Sequence, residues 1–432
     1  MDTPVEAWIL TIGNEIINAV ITDTNREAIS RELRRVGIAT VGMSSVGDHT
    51  GRIADAVRAA MDNALITVAC GGLGPTEDDK TSAGVAEFLE LPLESDPEQL
   101  ARIEERFRQW GRPMAASNAK QAMFPRGAIP IPNDYGTAPG FMIERDGRIA
   151  QFFPGVPREL IRMLRERGIP EIQARFGSSD QIFLTRTLHV YGLSESKLGE
   201  ILSDVAQDEP DFHLAFLPRF PIIRLRMDAG GYDEGEVNRK LDAKQQTIDE
   251  RIRENVISDD GRSMEEVVLQ LLESKNWTLG LAESITGGMI GEMITRVPGS
   301  SRSFIGSIVS YSNEMKSRIL GVSEETLLNH GAVSHPCARE MAVGARRATN
   351  ADVGLSVTGI AGPDGGSPDK PVGTFFLGLA TSDTVLTRGF LLPGTRVWVK
   401  TLAAMQCLDL LRRHLLGYRI HGKEEGFSQA WG

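Results

Sequence analysis

A serine in the last third of the chain stands where a nucleophile would be placed. Ser284 follows the apolar run 277–282 and precedes Gly287 and Gly288, after which residues 289–294 show a helical pattern. The pattern predicts a side chain at the carboxyl edge of a sheet, beside the N–H groups that begin a helix. Those groups favour a developing negative charge, as an oxyanion hole does. A helix-capping serine is the alternative interpretation.

The sequence offers this serine a lysine as its base rather than a histidine. The histidines of the last third have no evident carboxylate partner in a strand-end loop: they are His330, His335, His414 and His421. Lys316 follows a second strand-like run, 307–311, in the first turn of a helix that Ser312 or Asn313 can cap. Burial or the positive helix start would lower the pKa of Lys316, and its neutral amine could then act as a base. A solvated surface lysine is the alternative, and Tyr311 could relay a proton or only pack.

Two further segments could bind an anion. The strand-like run 353–358 leads into a glycine-rich loop, 359–366, whose backbone N–H groups could approach a phosphate or an oxyanion. No Gly-Lys-Ser/Thr follows, so this is not a Walker loop. Arg396 opens a long amphipathic helix predicted to run through Leu415, where the guanidinium and the helix dipole could hold a phosphate. A surface arginine is the alternative.

Five segments in this order resemble the C-terminal domain of the CinA family: 282–288, 311–316, 331–334, 358–366 and 393–396. Enzymes with this domain deamidate nicotinamide mononucleotide in pyridine nucleotide recycling. The resemblance implies Ser284 as nucleophile, Lys316 as base and Tyr311 as an assisting hydroxyl, without a cofactor. It also implies substrate contacts from Thr286, Gly287, Gly288, Thr358, Gly359, Ala361, Gly362 and Arg396. Ile285 and Thr395 replace the Cys and Asp of many members, and neither change removes a proposed catalytic group.

The first third of the chain carries a separate unit in which strands and helices alternate. Strand-like runs at 8–13, 38–46 and 64–69 are separated by helical patterns at 25–36 and 52–63. This alternation predicts a parallel, doubly wound sheet, which binds ligands at the carboxyl ends of its strands.

An acidic, glycine-rich loop follows the third of these runs. It contains Gly71, Gly72, Glu77, Asp78 and Asp79. Adjacent carboxylates are costly together unless they are solvated or neutralised, and a hard divalent cation would neutralise them. A solvated helix start, whose dipole favours acidic residues, is an equal alternative. Asp48 and Glu15 follow the first two strands and could face the same crevice.

This third resembles the molybdopterin-binding, MoaB/MogA-like domain at the N-terminus of CinA proteins. The matching segments are 11–15, 23–25, 46–48, 71–81, 118–122, 133–140 and 154–160. The resemblance implies a metal-dependent ADP-ribose pyrophosphatase in which Asp48, Asp78 and Asp79 hold a divalent metal ion. It implies substrate contacts from Gly71, Gly72, Glu15, Asn25, Lys120 and Thr137.

The middle of the chain predicts strand, helix, strand, helix. These elements are a strand over 181–191, a helix from Ser194 through Val205, extended residues 213–227 and a charged helix over 234–254. They resemble the KH-type middle domain of the family. No basic Gly-x-x-Gly clamp lies between two helices, so RNA binding is not implied and a scaffold or dimer-forming role is expected.

We therefore predict three domains in an α/β protein. They are a MoaB/MogA-like doubly wound three-layer domain over 1–175, a small α+β KH-type domain over 178–257 and an α/β/α CinA deamidase domain over 262–421. Residues 255–263 should form a linker and 422–432 a loose tail.

Composition narrows the partners and the compartment. A net charge of -11 disfavours nonspecific nucleic-acid binding. Three cysteines distant in sequence indicate neither a disulfide framework nor a zinc cluster, as in a reducing cytoplasm. No apolar run approaches membrane length, and the start lacks a basic signal region. With the resemblance, we expect a cytoplasmic homodimer that binds nicotinamide mononucleotide and ADP-ribose.

A different class of protein is the competing hypothesis: a nucleotide-sensing or interaction protein in competence or DNA repair, with vestigial sites. The intact Ser284, Tyr311 and Lys316 argue against it, because a binding protein needs no such trio.

Overall fold

The computed structural model describes residues 5–177, 182–207, 209 and 211–427, and the strands in these ranges form four sheets. The first part contains β1 (Glu6–Ile12), α1 (Asn14–Ile17), α2 (Asn25–Arg35), β2 (Ala39–Val46), α3 (Thr50–Asn63), β3 (Ile66–Cys70), α4 (Thr81–Leu89), β4 (Leu93–Ser95), α5 (Pro97–Gln109), β5 (Met123–Pro125), β6 (Ile129–Ile131), β7 (Gly140–Arg145), β8 (Arg148–Phe153), α6 (Pro157–Met163) and α7 (Ile169–Phe176).

The first sheet has six strands in the order β2-β1-β3-β8-β7-β6. β2, β1, β3 and β8 run parallel, which confirms the prediction from alternating strands and helices. Every residue of β3 is buried, as expected for a strand covered on both faces. β7 and β6 are antiparallel. This edge was not predicted; the hairpin that creates it turns at Asp146 and Gly147, both with positive φ.

The middle domain (residues 182–258) is built on the second sheet, of order β10-β11-β9-β12. Its elements are β9 (Ile182–Val190), α8 (Glu195–Ile201), β10 (Phe212–Arg219), β11 (Ile222–Gly231), α9 (Glu234–Ile252) and β12 (Val256–Ser258). The residues 213–227 are extended, as predicted, and form the antiparallel hairpin of β10 and β11.

Two predictions for the middle domain were wrong. α8 ends at Ile201 rather than Val205. Leu202 and Val205 lie in the turn that follows, and because both are buried, their spacing resembles that of a helix. Part of the predicted linker 255–263 is strand β12, since Val256 pairs with Val190. Gln181, the predicted start of β9, lies outside the described residues.

The last part contains α10 (Met264–Lys275), β13 (Leu279–Glu283), α11 (Met289–Thr295), β14 (Phe304–Val309), α12 (Asn313–Met315), α13 (Glu324–Asn329), α14 (His335–Thr349), β15 (Val353–Gly359), β16 (Thr374–Ala380), β17 (Val385–Leu391) and α15 (Arg396–Leu416). Its sheet has the order β14-β13-β15-β16-β17: β14, β13 and β15 are parallel, β16 pairs antiparallel with β15, and β17 pairs antiparallel with β16. The carboxyl ends of β13, β14 and β15 therefore meet at one edge.

α15 is enclosed rather than amphipathic as predicted. Asp409, Arg412 and Arg413 are all buried on it, and both arginines bond to the Asp409 carboxylate. Arg412 also donates to the carbonyl groups of Glu254 and Val256 in the middle domain. Pairing of this kind is what buried charges require. The prediction failed because the helix packs against both the sheet and the middle domain.

By its internal contacts the chain divides into two units. The first comprises Met1–Leu184 with Gly230–Asn238, and the second comprises Thr185–Ala229 with Arg239–Gly432. Residues 422–427 are not loose as predicted: Lys423 bridges to Gly389 of β17, and Glu424 pairs with Arg388. Residues 428–432 lie outside the description. Within the described parts, no helix is both long and apolar enough to cross a membrane.

Candidate active site

The turn after β13 places Ser284 at the carboxyl edge of the C-terminal sheet. Ser284 is buried, and its N–H donates to the Val357 carbonyl of β15. Positive φ angles at Gly287 (64°) and Gly288 (96°) turn the chain directly into α11. The predicted strand, tight turn and helix are thus confirmed.

Three N–H groups at the start of α11 are already occupied by Glu283. Its fully buried carboxylate accepts bonds from the backbone N–H groups of Gly288, Ile290 and Gly291 and from the Ser307 hydroxyl. Ser284 therefore does not cap this helix, and three of the helix-start N–H groups that were expected to stabilise an oxyanion already have an acceptor. The N–H groups of residues 285–287 have no acceptor in the part of the chain that the structure describes. They remain available to a substrate oxygen.

Lys316 meets Ser284 inside the protein. Its Nζ lies 3.0 Å from Ser284 Oγ and 2.8 Å from the carbonyl oxygen of Ser310. The Lys316 side chain is only 1% exposed, which rules out the solvated surface lysine. Burial lowers the pKa of Lys316, and only its neighbour Cys337 acts in the opposite direction. A neutral amine at this distance can accept the serine proton.

Burial, more than a helix dipole, sets the state of this lysine. Ser312 caps α12, as predicted, by accepting the N–H of Met315. α12 has a single turn, and Lys316 then begins a π-helical turn that ends at Leu320. So short a helix supplies little dipole, whereas desolvation is the largest cause of the lowered pKa. π-turns of this kind recur at functional sites.

Arg396 links Tyr311 to the glycine-rich loop. Tyr311 is 64% exposed, so it is not a packing residue, and its hydroxyl lies 3.1 Å from the Arg396 guanidinium that donates to it. Arg396 also donates to the Gly362 carbonyl at 2.7 Å, so it is not a free surface arginine. Tyr311 approaches Lys316 through its backbone carbonyl, 3.5 Å from Nζ. The described contacts do not join the Tyr311 hydroxyl to Ser284.

The other residues predicted to contact the substrate differ in whether they already have a hydrogen-bond partner or a packing role. The Thr358 hydroxyl donates to the Ala332 carbonyl at 2.7 Å, so it supports the fold. Gly359 is needed for packing, since a Cβ there would lie 2.4 Å from the Cβ of Phe375. Ala361 is buried. Thr286 Oγ1, in contrast, is buried with no hydrogen-bond partner among the described residues.

Lys400 lies beside the candidate site, and the sequence analysis did not name it. A Cβ built on Gly287 would lie 3.8 Å from Lys400 Nζ, so this ammonium reaches the turn that holds Ser284. Lys400 has neither a hydrogen bond nor an ion pair to any residue that the structure describes. It lies one helical turn after Arg396, and that i,i+4 spacing was the available signal.

A second candidate site lies at the carboxyl ends of β1 to β3. The Asp48 carboxylate accepts the N–H of Asn14 at 2.8 Å. Burial raises the pKa of Asp48, and the carboxylates of Glu15, Asp79 and Asp78 shift it in the same direction. The predicted acidic residues thus share one electrostatic neighbourhood.

Comparison with known proteins decides the family. A CinA-like protein of Geobacter metallireducens is 39% identical over 410 residues, covering 95% of this chain and 99% of that protein. The chain belongs to the CinA family. Family profiles match in three places: the family described as "Probable molybdopterin binding domain" over residues 8–174, the damage-inducible protein CinA KH domain over 185–258 and the CinA C-terminal domain over 261–415. The fold is therefore MoaB/MogA-like, KH-like and CinA C-terminal in order, as predicted.

Solved structures of single domains are also similar. The CinA protein of Thermoplasma acidophilum is 32% identical, covers 39% of this chain and 98% of its own, and gives a TM-score of 0.36. The molybdopterin biosynthesis enzyme MoaB of Thermus thermophilus is 18% identical, covers 40% of this chain and 94% of its own, and gives a TM-score of 0.28.

The acidic residues of this CinA chain do not form a ready metal centre. Within the described ranges, no group of three or more His, Cys, Asp or Glu side chains is arranged to hold a metal ion. Asp79 accepts the N–H and the hydroxyl of Thr76, at 2.8 and 2.6 Å, and Asp78 faces solvent. A Mg²⁺ ion here would need its remaining ligands from water and substrate phosphates, which is its usual mode of binding.

The other residues predicted to contact substrate in the N-terminal domain are Gly71, Gly72, Asn25, Lys120 and Thr137. Gly71 and Gly72 have φ angles of 106° and 63°, which only glycine adopts readily. Asn25 and Lys120 each donate to a backbone carbonyl of a neighbouring loop. Thr137 is half-buried in the loop before β7, and no described hydrogen bond joins its side chain to the acidic residues.

Proposed function

We propose that the C-terminal domain hydrolyses nicotinamide mononucleotide to nicotinate mononucleotide and ammonia. The observation that carries this proposal is the buried contact of 3.0 Å between Lys316 Nζ and Ser284 Oγ, with a lowered pKa at the lysine. A hydroxyl is a weak nucleophile until an adjacent base removes its proton. A Ser-Lys pair supplies such a base without a histidine.

In the first step, Ser284 Oγ attacks the carboxamide carbon and its proton passes to Lys316 Nζ. The carbonyl oxygen becomes an oxyanion, which the free N–H groups of residues 285–287 can receive. Lys316 then returns the proton to the departing nitrogen, the C–N bond breaks and ammonia leaves. Water then attacks the ester carbonyl and gives a proton to Lys316, which passes it to Ser284 Oγ as the ester bond breaks. The acid product ionises to the carboxylate, and the released ammonia takes up that proton. Atoms and charge balance without a metal or redox cofactor.

The deciding experiment measures ammonia and nicotinate mononucleotide released from nicotinamide mononucleotide by the purified protein. Equal amounts of the two products, formed catalytically, would support the amidohydrolase. Binding of the nucleotide without turnover would favour the alternative of a nucleotide-sensing or interaction protein in competence or DNA repair.

Arg396→Ala should lower kcat/KM for nicotinamide mononucleotide on the order of 10- to 100-fold. We assign the substrate phosphate to Arg396, and a charge-assisted bond contributes about 1.5–3 kcal/mol. The nucleoside that lacks the phosphate should be a poor substrate for both proteins and change little. Steady-state kinetics with both substrates checks this.

The contact between Arg396 and Tyr311 adds a condition to that prediction. The variant also releases the Tyr311 hydroxyl, so a loss of kcat with the nucleoside would show that Arg396 acts through Tyr311. Equal losses on both substrates would contradict phosphate binding as its main role. Arg302→Ala is the matched control, since Arg302 is an exposed arginine of the same domain that pairs with Glu273.

We further propose that the N-terminal domain cleaves ADP-ribose in the presence of a divalent metal ion. The supporting observation is that the carboxylates of Glu15, Asp78 and Asp79 lie near Asp48, whose pKa is raised first by burial and then by these neighbours; a cation would offset their repulsion. Asp48 and Asp79 are the residues that would hold the ion. When bound, it would neutralise the diphosphate charge and polarise a phosphorus–oxygen bond.

Asp79→Asn should abolish metal-dependent ADP-ribose cleavage and leave deamidation unchanged. An asparagine oxygen can still accept from Thr76, so the loop should keep its shape while it loses a charge. Release of AMP and ribose 5-phosphate with and without a chelator checks this. Glu77→Gln, an exposed neighbour in the same loop, is the control and should stay active. Chelator-insensitive cleavage would contradict the role of the metal ion, and no cleavage with any divalent metal would leave this domain a binding domain.

A further inference from the structure

The hairpin of the middle domain reaches the first turn of α15. Phe220 lies at the tip between β10 and β11, and its ring stacks on Trp398 with centroids 4.3 Å apart and planes 18° from parallel. Phe220 is 43% exposed and Trp398 is 52% exposed, so the stacked pair remains partly open to solvent. This is a specific aromatic contact rather than burial in a core.

Trp398 belongs to the same helical turn as Arg396. Thr395 caps that turn by accepting the Trp398 N–H at 3.4 Å. Side chains two residues apart on a helix face different directions. Phe220 therefore holds one side of the turn while Arg396, on another side, meets Tyr311 and Gly362.

The hairpin is itself fixed to the domain that carries the active site. Ile222, just after the tip, packs against the C-terminal core, and Tyr191 and Ile257 of the middle domain belong to that core. First turns of helices fray, because their N–H groups lack intrahelical partners. A stacking contact from a fixed hairpin restrains the turn where fraying would displace Arg396.

We infer that Phe220 is a positioning residue for substrate recognition: through Trp398 it holds Arg396 where the phosphate of the nucleotide binds. The middle domain thereby contributes to the deamidase site without touching the reacting atoms. This inference rests on the proposed deamidase function and on phosphate binding by Arg396.

Phe220→Ala should raise KM for nicotinamide mononucleotide about 3- to 10-fold and leave kcat nearly unchanged, because the reacting groups are not moved. Turnover of the nucleoside without phosphate should not change. Phe220→Tyr should restore the parent KM, since it keeps the ring, and Trp398→Ala should reproduce the defect. Leu217→Ala, on β10 of the same hairpin, is the matched control and should behave as the parent.

A double-mutant cycle separates positioning from general support of the fold. If Phe220 acts through Arg396, Phe220→Ala should have no further effect on kcat/KM in an Arg396→Ala background. Three results would overturn the inference and leave the deamidase proposal intact. They are additive losses in the double variant, equal losses of Phe220→Ala with both substrates, or no loss in Phe220→Ala when the parent protein is active. A parent protein that releases no ammonia would overturn both.

Discussion

Ser284→Ala should lose deamidation of nicotinamide mononucleotide by at least about 10⁴-fold in kcat, because no other group can form the acyl-enzyme. The loss should leave the fold intact. The Ser284 hydroxyl has Lys316 as its hydrogen-bond partner among the described residues, and Glu283, not Ser284, holds the start of α11. Nucleotide affinity should also persist, since Arg396 is untouched.

The measurement is ammonia release under saturating substrate, with melting temperature and nucleotide binding recorded for the same preparation. Mass spectrometry of acid-quenched parent enzyme should find the nicotinoyl nucleotide on Ser284 and nothing on the variant. Ser274→Ala, an exposed serine on α10, controls for the substitution itself. Substantial deamidation by the Ser284 variant would refute its assignment as nucleophile.

The local part of this site could be predicted from the sequence. The run before Ser284 and the two glycines after it specify strand, turn and helix within a dozen residues, and the structure has them. The contact between Lys316 and Ser284, in contrast, joins segments that are distant in sequence. It depends on β13 lying beside β14 in the register Glu283 to Val309, which places the ends of two separate segments side by side. The sequence named Lys316 as a candidate base with a surface lysine as the alternative, and the family resemblance favoured the pairing with Ser284.

Glu283 shows what residue patterns could not reveal. A carboxylate inside an apolar strand gives no sign that it will accept three N–H groups of the following helix, so the sequence reasoning left those groups free for a substrate. In the N-terminal domain, the residue pattern likewise did not reveal the hydrogen bonding of Asp79. Its bond to Thr76 is local, yet it removes lone pairs that the metal prediction had assumed were open.

The sequence also did not reveal that charged side chains of α15 would be buried. α15 has charged residues at Asp409, Arg412 and Arg413, which in sequence resemble a solvated face. They are buried because the middle domain covers the helix, and that contact joins residues more than 150 positions apart. Long-range packing of this kind overrides periodicity.

Lys316→Arg should be as inactive as Lys316→Ala, each reduced on the order of 10³-fold or more. Arginine retains the positive charge but stays protonated at any working pH, so it cannot accept the serine proton. Ammonia release by both variants tests this. If Lys316→Arg kept substantial activity, the lysine would be an electrostatic or structural element rather than the base.

The pH dependence should identify the same group. The pKa of Lys316 is lowered by burial, so the neutral amine is the active form and kcat/KM should fall on acidification with a single essential ionisation. A matched measurement with Lys316→Met should show no residual ionisation of this kind. An acid limb that survived the loss of Lys316 would point to another base.

The substitution Lys316→Met should change stability in the opposite direction from activity. A free lysine has a pKa of about 10.4, and the folded protein holds that of Lys316 below it, so the unfolded chain binds more protons between the two values. The stability that the neutral amine allows is therefore complete above the unfolded pKa and is lost as the pH falls through this window toward the folded pKa. Lys316→Met removes the ionisable group, so at neutral pH it should melt at a higher temperature than the parent, and the difference should shrink toward pH 10. A lower melting temperature for Lys316→Met across the whole range would mean that the bond from Lys316 to the Ser310 carbonyl outweighs the cost of burying the amine.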